Sequence, residues 1–315
     1  MGEPIYHVDV PTDPHPLRGY AMVWTAALLF AVNGTVSKVV LESGITSLEL
    51  TQVRSTGAFL GLALALALIA PARLRVGIRE LGFLVVFGIT GLAFVQWFYF
   101  LSIHKLPVGI ALLIEYVAPL LVALWARYVF HERVRRRIWV ALALALVGLS
   151  LIVELWSGSS ALDGLGVAAA LAAALAYAVY ILMAERGVRK RDPISLSCYG
   201  FGFAALFWLV VQPIWEFPFG RVDDSVSLLG ELDSVAAPVW LLLLFVVVVG
   251  TMATFALIVS ALQHVSATRV GIVAMLEPVA ATAVAWIWLG EVLGAAQLAG
   301  GAIVLAGIVL AQTAR

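Results

Sequence analysis

Residues 106–132, LPVGIALLIEYVAPLLVALWARYVFHE, and residues 265–291, VSATRVGIVAMLEPVAATAVAWIWLGE, share one pattern. A constant offset of 159 residues lays Pro119 on Pro278, Glu132 on Glu291 and, further along, Gly148 on Gly307. Each stretch is mostly apolar and carries a carboxylate on the N-terminal side of its proline, Glu115 four residues before Pro119 in the first and Glu277 immediately before Pro278 in the second. Roughly 20 apolar residues carry a helix across a bilayer. The repeated unit is therefore a pair of membrane spans.

The surrounding chain has the same character. Of 315 residues 63% are hydrophobic and 12% charged, and the mean hydropathy is +1.05. A soluble domain carries roughly 25% charged residues. The long apolar runs do not alternate with polar positions, which excludes a β-barrel. Nineteen basic residues balance nineteen acidic ones, so no basic excess points to nucleic acid. One cysteine, Cys198, excludes an internal disulfide and a CxxC motif.

Hydropathy predicts an all-α membrane protein with ten transmembrane helices, at 19–41, 47–70, 81–103, 107–129, 138–154, 164–184, 194–214, 238–262, 267–289 and 294–313. Residues 1–18, with Pro11, Pro14 and Pro16, read as a short flexible tail. Spans 1–5 (19–154) and 6–10 (161–313) are then two repeats, the leading parts matching through Phe30-Ala-Val-Asn33 and Tyr177-Ala-Val-Tyr180. Five spans is an odd number, so the second repeat must sit upside down relative to the first.

Loop charges agree with that inversion. Arg73, Arg75 and Arg79 follow span 2; Arg133, Arg135, Arg136 and Arg137 follow span 4; Arg186, Arg189, Lys190 and Arg191 follow span 6. The opposite loop at 215–237 holds Glu216, Asp223, Asp224, Glu231 and Asp233 against Arg221 alone. The positive-inside rule places both termini in the cytoplasm. An abundance of Arg over Lys fits a bacterial inner membrane. Inverted repeats recur in secondary transporters, because exchanging the conformations of two halves moves one site between the two membrane faces.

Ionisable groups deep in a span cost about 2.5 to 3.5 kcal/mol even on lenient scales and are functional candidates by default. Three qualify: Arg54, Glu115 and Glu277. Either glutamate is a candidate proton carrier, and each could instead be locked to an arginine or to backbone groups freed at a proline. Arg54 needs a counter-charge, for which Glu115 is the natural choice; the pair would suit an amino-acid zwitterion or serve as a structural ion pair. Asn33, Gln96, Trp97, Tyr99, Tyr116, Tyr177 and Tyr180 supply further polar or aromatic groups for a central substrate site, with packing or interfacial anchoring as the plainer alternative. Pro119 and Pro278 mark helices broken or kinked at mid-membrane. Thr46-Ser-Leu-Glu49 is a capping box, Glu132 and Glu291 hold the turns that follow their spans, and the glycines of spans 2 and 10 pack the bundle internally. There is no HExxH, Walker A or GxSxG pattern. No enzyme, metal or cofactor is expected.

The stretches YFLSI (99–103), PVGIALLIEYVAPLLVALW, LEPVAATAVAWIWLGE and the glycine-rich AGGAIVLAGIVLA (299–311) resemble the drug/metabolite transporter superfamily of the EamA type. The resemblance covers residues 19–313. Within that group Arg54, Glu115 and Glu277 look similar to the threonine/homoserine exporter branch. It implies a proton-coupled or gradient-driven exporter of small metabolites, amino acids among them. A flippase of lipid-linked substrates and a passive channel stay open as alternatives, as does the choice between monomer and homodimer.

Overall fold

The computed structural model describes residues 15–106, 108–131, 134–154, 163–290 and 292–313. Ten helical spans, here α1–α10, build it: α1 (Pro16–Glu42), α2 (Ser47–Ile69), α3 (Ile78–Ile103), α4 (Val108–Glu115 with Ala118–Tyr128), α5 (Arg136–Ile152), α6 (Gly164–Gly187), α7 (Pro193–Val211), α8 (Val239–Ala261), α9 (Ala267–Ala274 with Leu276–Leu289) and α10 (Ala295–Gln312). Among the described residues nine are long and apolar enough to cross a membrane; α5, at 17 residues, falls just short of that length. Residues 1–14 of the expected tail, and Glu132 and Glu291 with their expected turn-holding role, lie outside the described residues.

Two span edges move for local reasons. The helix α1 starts at Pro16, inside the expected tail, because proline suits the first helical turn, where its missing N–H leaves no bond unmade. The helix α7 stops at Val211, since Pro213 pushes the preceding Gln212 out of helical geometry.

On α6 small residues face inward and large ones outward, the reverse of a soluble helix. Ala169, Ala170, Ala173 and Ala174 are buried while Leu165, Leu171 and Leu175 are exposed. Lipid removes the usual drive to hide leucine, and close backbone approach does the packing. Between α5 and α10 that approach is extreme: a Cβ on Gly148 would stand 2.6 Å from the Gly300 carbonyl oxygen, and one on Gly307 would stand 2.8 Å from that of Ala141. Gly57 and Gly61 of α2 receive Val247 and Met252 of α8. These glycines pack the bundle from within.

The offset of 159 reappears in three dimensions. The helix α4 is interrupted at Tyr116 and Val117, and α9 at Met275, in each case just before the proline. Proline cannot donate to the carbonyl four residues back, so those of Glu115 and Ala274 lose their helical partner. A second pair of irregularities follows the same symmetry. The middle of α3 (Phe87–Ala93) and of α8 (Val248–Ala253) widens into a π-helical turn. Thr251 and Thr254 bond the carbonyls five residues back, at 2.8 and 2.6 Å.

The acidic loop before α8 carries a short antiparallel hairpin, β1 (Ser225–Ser227) with β2 (Ala236–Pro238), in register Val226 to Ala237. Hydropathy gave no hint of it. Arg221 donates to the Ser43 carbonyl at 2.8 Å and Trp288 Nε1–H to that of Leu228 at 2.8 Å, tying the loop to the ends of α1 and α9.

Candidate central site

Where the broken helices α4 and α9 meet α1, α3, α6 and α8, they enclose a cavity of about 150 Å³. Gln96, Glu115, Tyr116, Tyr177, Tyr180 and Glu277 line it, with Phe30, Leu112, Phe255 and Ile258 supplying apolar wall. Sites for drug-sized ligands run to about 300–1,000 Å³. In this conformation the cavity suits only a small solute.

The two carboxyls that face it are held differently. Tyr116 donates its phenolic O–H to Glu277 Oε2 at 2.8 Å, a bond between equivalent helices of the two halves. Arg54 acts electrostatically on Glu277 as well, while its Nε–H donates to Thr251 Oγ1 at 3.1 Å, in the π-turn of α8. Arg54 makes no hydrogen bond or ion pair with Glu115 among the described residues: α2 packs against α8, which brings the guanidinium to Thr251, a tertiary relation that spacing along the chain does not carry. Glu115 has no protein hydrogen-bond or ion-pair partner among the described residues, although it feels the charge of Glu277.

Aromatic rings close the cavity on the α6 side. Tyr177 and Tyr180 stack at 6.2 Å, Tyr180 stacks on Phe87 at 5.6 Å and meets Phe255 edge-on at 5.9 Å. The Tyr180 hydroxyl and Gln96 Oε1 are buried without a hydrogen-bond partner among the described residues; the Gln96 amide donates to the Leu92 carbonyl at 3.3 Å. Buried polar atoms are normally satisfied, so these two are free to meet a solute.

The remaining candidates lie off the cavity wall. Asn33 is buried against Gly250 in the α8 π-turn, so close that a Cβ on Gly250 would collide with its amide. Its inverted counterpart Tyr180 packs on Gly91 in the α3 π-turn, where a Cβ would come within 3.2 Å. Tyr99 packs among Leu106, Ile110 and Ala111, near enough to both carboxyls to feel their charge. Trp97 points outward against Phe207 and Trp208. Glu49 accepts from the Thr46 backbone N–H at 2.6 Å while Thr46 Oγ1 accepts from Glu49 N–H at 3.3 Å, which completes the capping box. Among the described residues no His, Cys, Asp and Glu cluster could hold a metal.

Two segments of the chain, residues 17–154 and 164–313, each match the EamA-like transporter family. An uncharacterized transporter of Archaeoglobus fulgidus is 29% identical over 295 residues, 92% of this chain and 94% of its own length. The threonine/homoserine exporter RhtA of Escherichia coli K12 is 29% identical over 86% of this chain and 82% of that protein. A probable amino-acid metabolite efflux pump of Salmonella typhimurium is 24% identical over 64% of this chain and 67% of its own. A protein of known crystal structure superposes with a TM-score of 0.76 over 93% of this chain and 96% of that one, at 18% identity, a likeness of fold alone.

Proposed function

Since the chain belongs to the EamA-like transporter family, and is thus a multi-pass membrane transporter of small metabolites, we propose that it exports amino acids by proton-coupled alternating access. In this reading it sits in a bacterial inner membrane with both termini in the cytoplasm, an orientation that the basic loops after α2, α4 and α6 support. Relatives named as threonine/homoserine exporters support the cargo class.

The carrying observation is the unequal commitment of two carboxyls around one cavity. Glu277 is held by Tyr116 and faces Arg54, whereas Glu115 is uncommitted. An amino-acid ammonium and a proton are then rivals for Glu115. The Tyr177 and Tyr180 hydroxyls, with the Gln96 side chain, offer polar contacts to the cargo carboxylate. Because Glu115 takes either the proton or the ammonium, one proton enters for each zwitterion that leaves. That exchange moves one net positive charge inward, worth about 2.3 kcal/mol per 100 mV of membrane potential. The broken helices at Pro119 and Pro278 act as hinges on which the two inverted halves exchange conformations.

Threonine counterflow in proteoliposomes tests the reading. Wild type loses apparent affinity as pH falls, because protons displace cargo from Glu115. Glu115→Gln flattens that pH profile and abolishes proton-driven accumulation. Full transport with an unchanged pH profile in Glu115→Gln would remove Glu115 from coupling.

A further inference from the structure

A second cavity, of about 420 Å³, opens at the basic end of the bundle between the start of α3, the end of α6 and the start of α7. Its floor is apolar, made by Phe83, Leu84 and Leu196. Its rim carries Arg79, Arg186, Arg189, Lys190 and Arg191 with one acid, Glu80. That acid is already neutralised: Arg191 pairs with Glu80 at 2.6 Å and also donates to Ser195 Oγ and to the carbonyls of Arg73 and Arg75. Of the acids flanking the rim, Asp192 is paired with Arg73 at 2.8 Å and Glu185 accepts from the Ala267 backbone N–H at 3.1 Å.

What is left is a surplus of cation. Arg79, Arg189 and Lys190 are exposed and have no acidic partner among the described residues, and Arg186 has only the Phe130 ring beneath it, at 4.6 Å. Topology explains basic residues in these loops. It does not explain their convergence from two separate loops on one concave, apolar-floored cavity. Exposed Ile78 and Leu81 continue the apolar surface beside it, at the level where α3 leaves the aqueous face. The site asks for a ligand with an anionic head and a hydrocarbon tail. A zwitterionic cargo does not fit, because its ammonium would face four cations and an acid already taken.

We propose that this cavity binds an anionic phospholipid, its phosphate between Arg79, Arg189 and Lys190 and its acyl chain over Phe83 and Leu84. Arginine forks grip phosphate in bidentate fashion and lysine adds a mobile point charge. Basic pockets between membrane helices are suited to such headgroups.

Native mass spectrometry of the full-length protein tests it, with phosphatidylglycerol set against phosphatidylcholine of the same acyl chains. Wild type should retain one phosphatidylglycerol with at least about tenfold preference, and the triple variant Arg79→Ala, Arg189→Ala, Lys190→Ala should lose that preference. The charge-matched control Arg135→Ala, Arg136→Ala, Arg137→Ala, in another basic loop, should keep it. Equal loss in the control would overturn the site in favour of diffuse surface charge. Displacement of phosphatidylglycerol by millimolar inorganic phosphate would overturn the lipid assignment and leave a plain anion site. Wild-type protein gives an independent readout: a photoactivatable phosphatidylglycerol should label residues 78–84 and 186–196, and labelling confined to other segments would refute the proposal.

Discussion

The helices α4 and α9 are the same device built twice, and they differ where chemistry is done. Both break just before a proline at equivalent positions, Pro119 and Pro278. Yet Glu115 has Ala274 as its counterpart and Glu277 has Ala118, so each half brings its carboxyl from a different turn. In α9 the carboxyl sits beside the proline and is held by Tyr116, with Arg54 acting on it. In α4 it precedes the break and faces the cavity without a hydrogen-bond or ion-pair partner among the described residues. In the exchange proposed above, pseudo-symmetry would supply the hinge, and its violation would separate a positioning carboxyl from an exchanging one.

The most severe way to break this contrast is to neutralise each carboxyl in turn. Glu115→Gln should reduce proton-driven accumulation in proteoliposomes by at least about a hundredfold, since exchange loses its only competitor site. Glu277→Gln should slow transport yet keep the pH profile, and a flat profile in that variant would reverse the two roles. Next come the π-turn glycines. Gly91→Ala presses on Tyr180, and Gly250→Ala on Asn33; overpacking of this kind costs about 1–3 kcal/mol, read as a lower thermal midpoint in detergent. If the halves move as equivalents, both variants slow exchange without altering its pH profile. Tyr116→Phe removes the bond to Glu277 and should cost about 1.5–3 kcal/mol, read in the same thermal assay, with transport retained. The smallest effect belongs to the capping box: Thr46→Ala at the start of α2 should cost about 1 kcal/mol and leave transport kinetics alone.

Much of this was legible in the chain. The ten spans followed from apolar run length, and the repeat from Pro119, Gly148 and their partners at one offset. The deep ionisable residues stood out because hydrocarbon penalises them. Four things were not legible. A π-turn needs one extra residue in a helical turn, and Gly91 or Gly250 alone does not announce it. The partner of Arg54 depends on α2 crossing α8, a tertiary fact. Asn33 reads as a cavity amide by depth, but the close approach of Gly250 takes it off the wall. The basic cavity is written in loop residues whose topological role conceals their convergence in space.

In the proposed mechanism Glu115 holds either a proton or the cargo ammonium, while Glu277 does neither. Proton release on cargo binding, followed with a pH indicator in weakly buffered detergent solution, tests this directly. The account predicts release of up to one proton per amino acid bound by wild type and by Glu277→Gln, at pH values where Glu115 starts protonated, and none by Glu115→Gln. Undiminished proton release by Glu115→Gln, or its loss in Glu277→Gln alone, would contradict it.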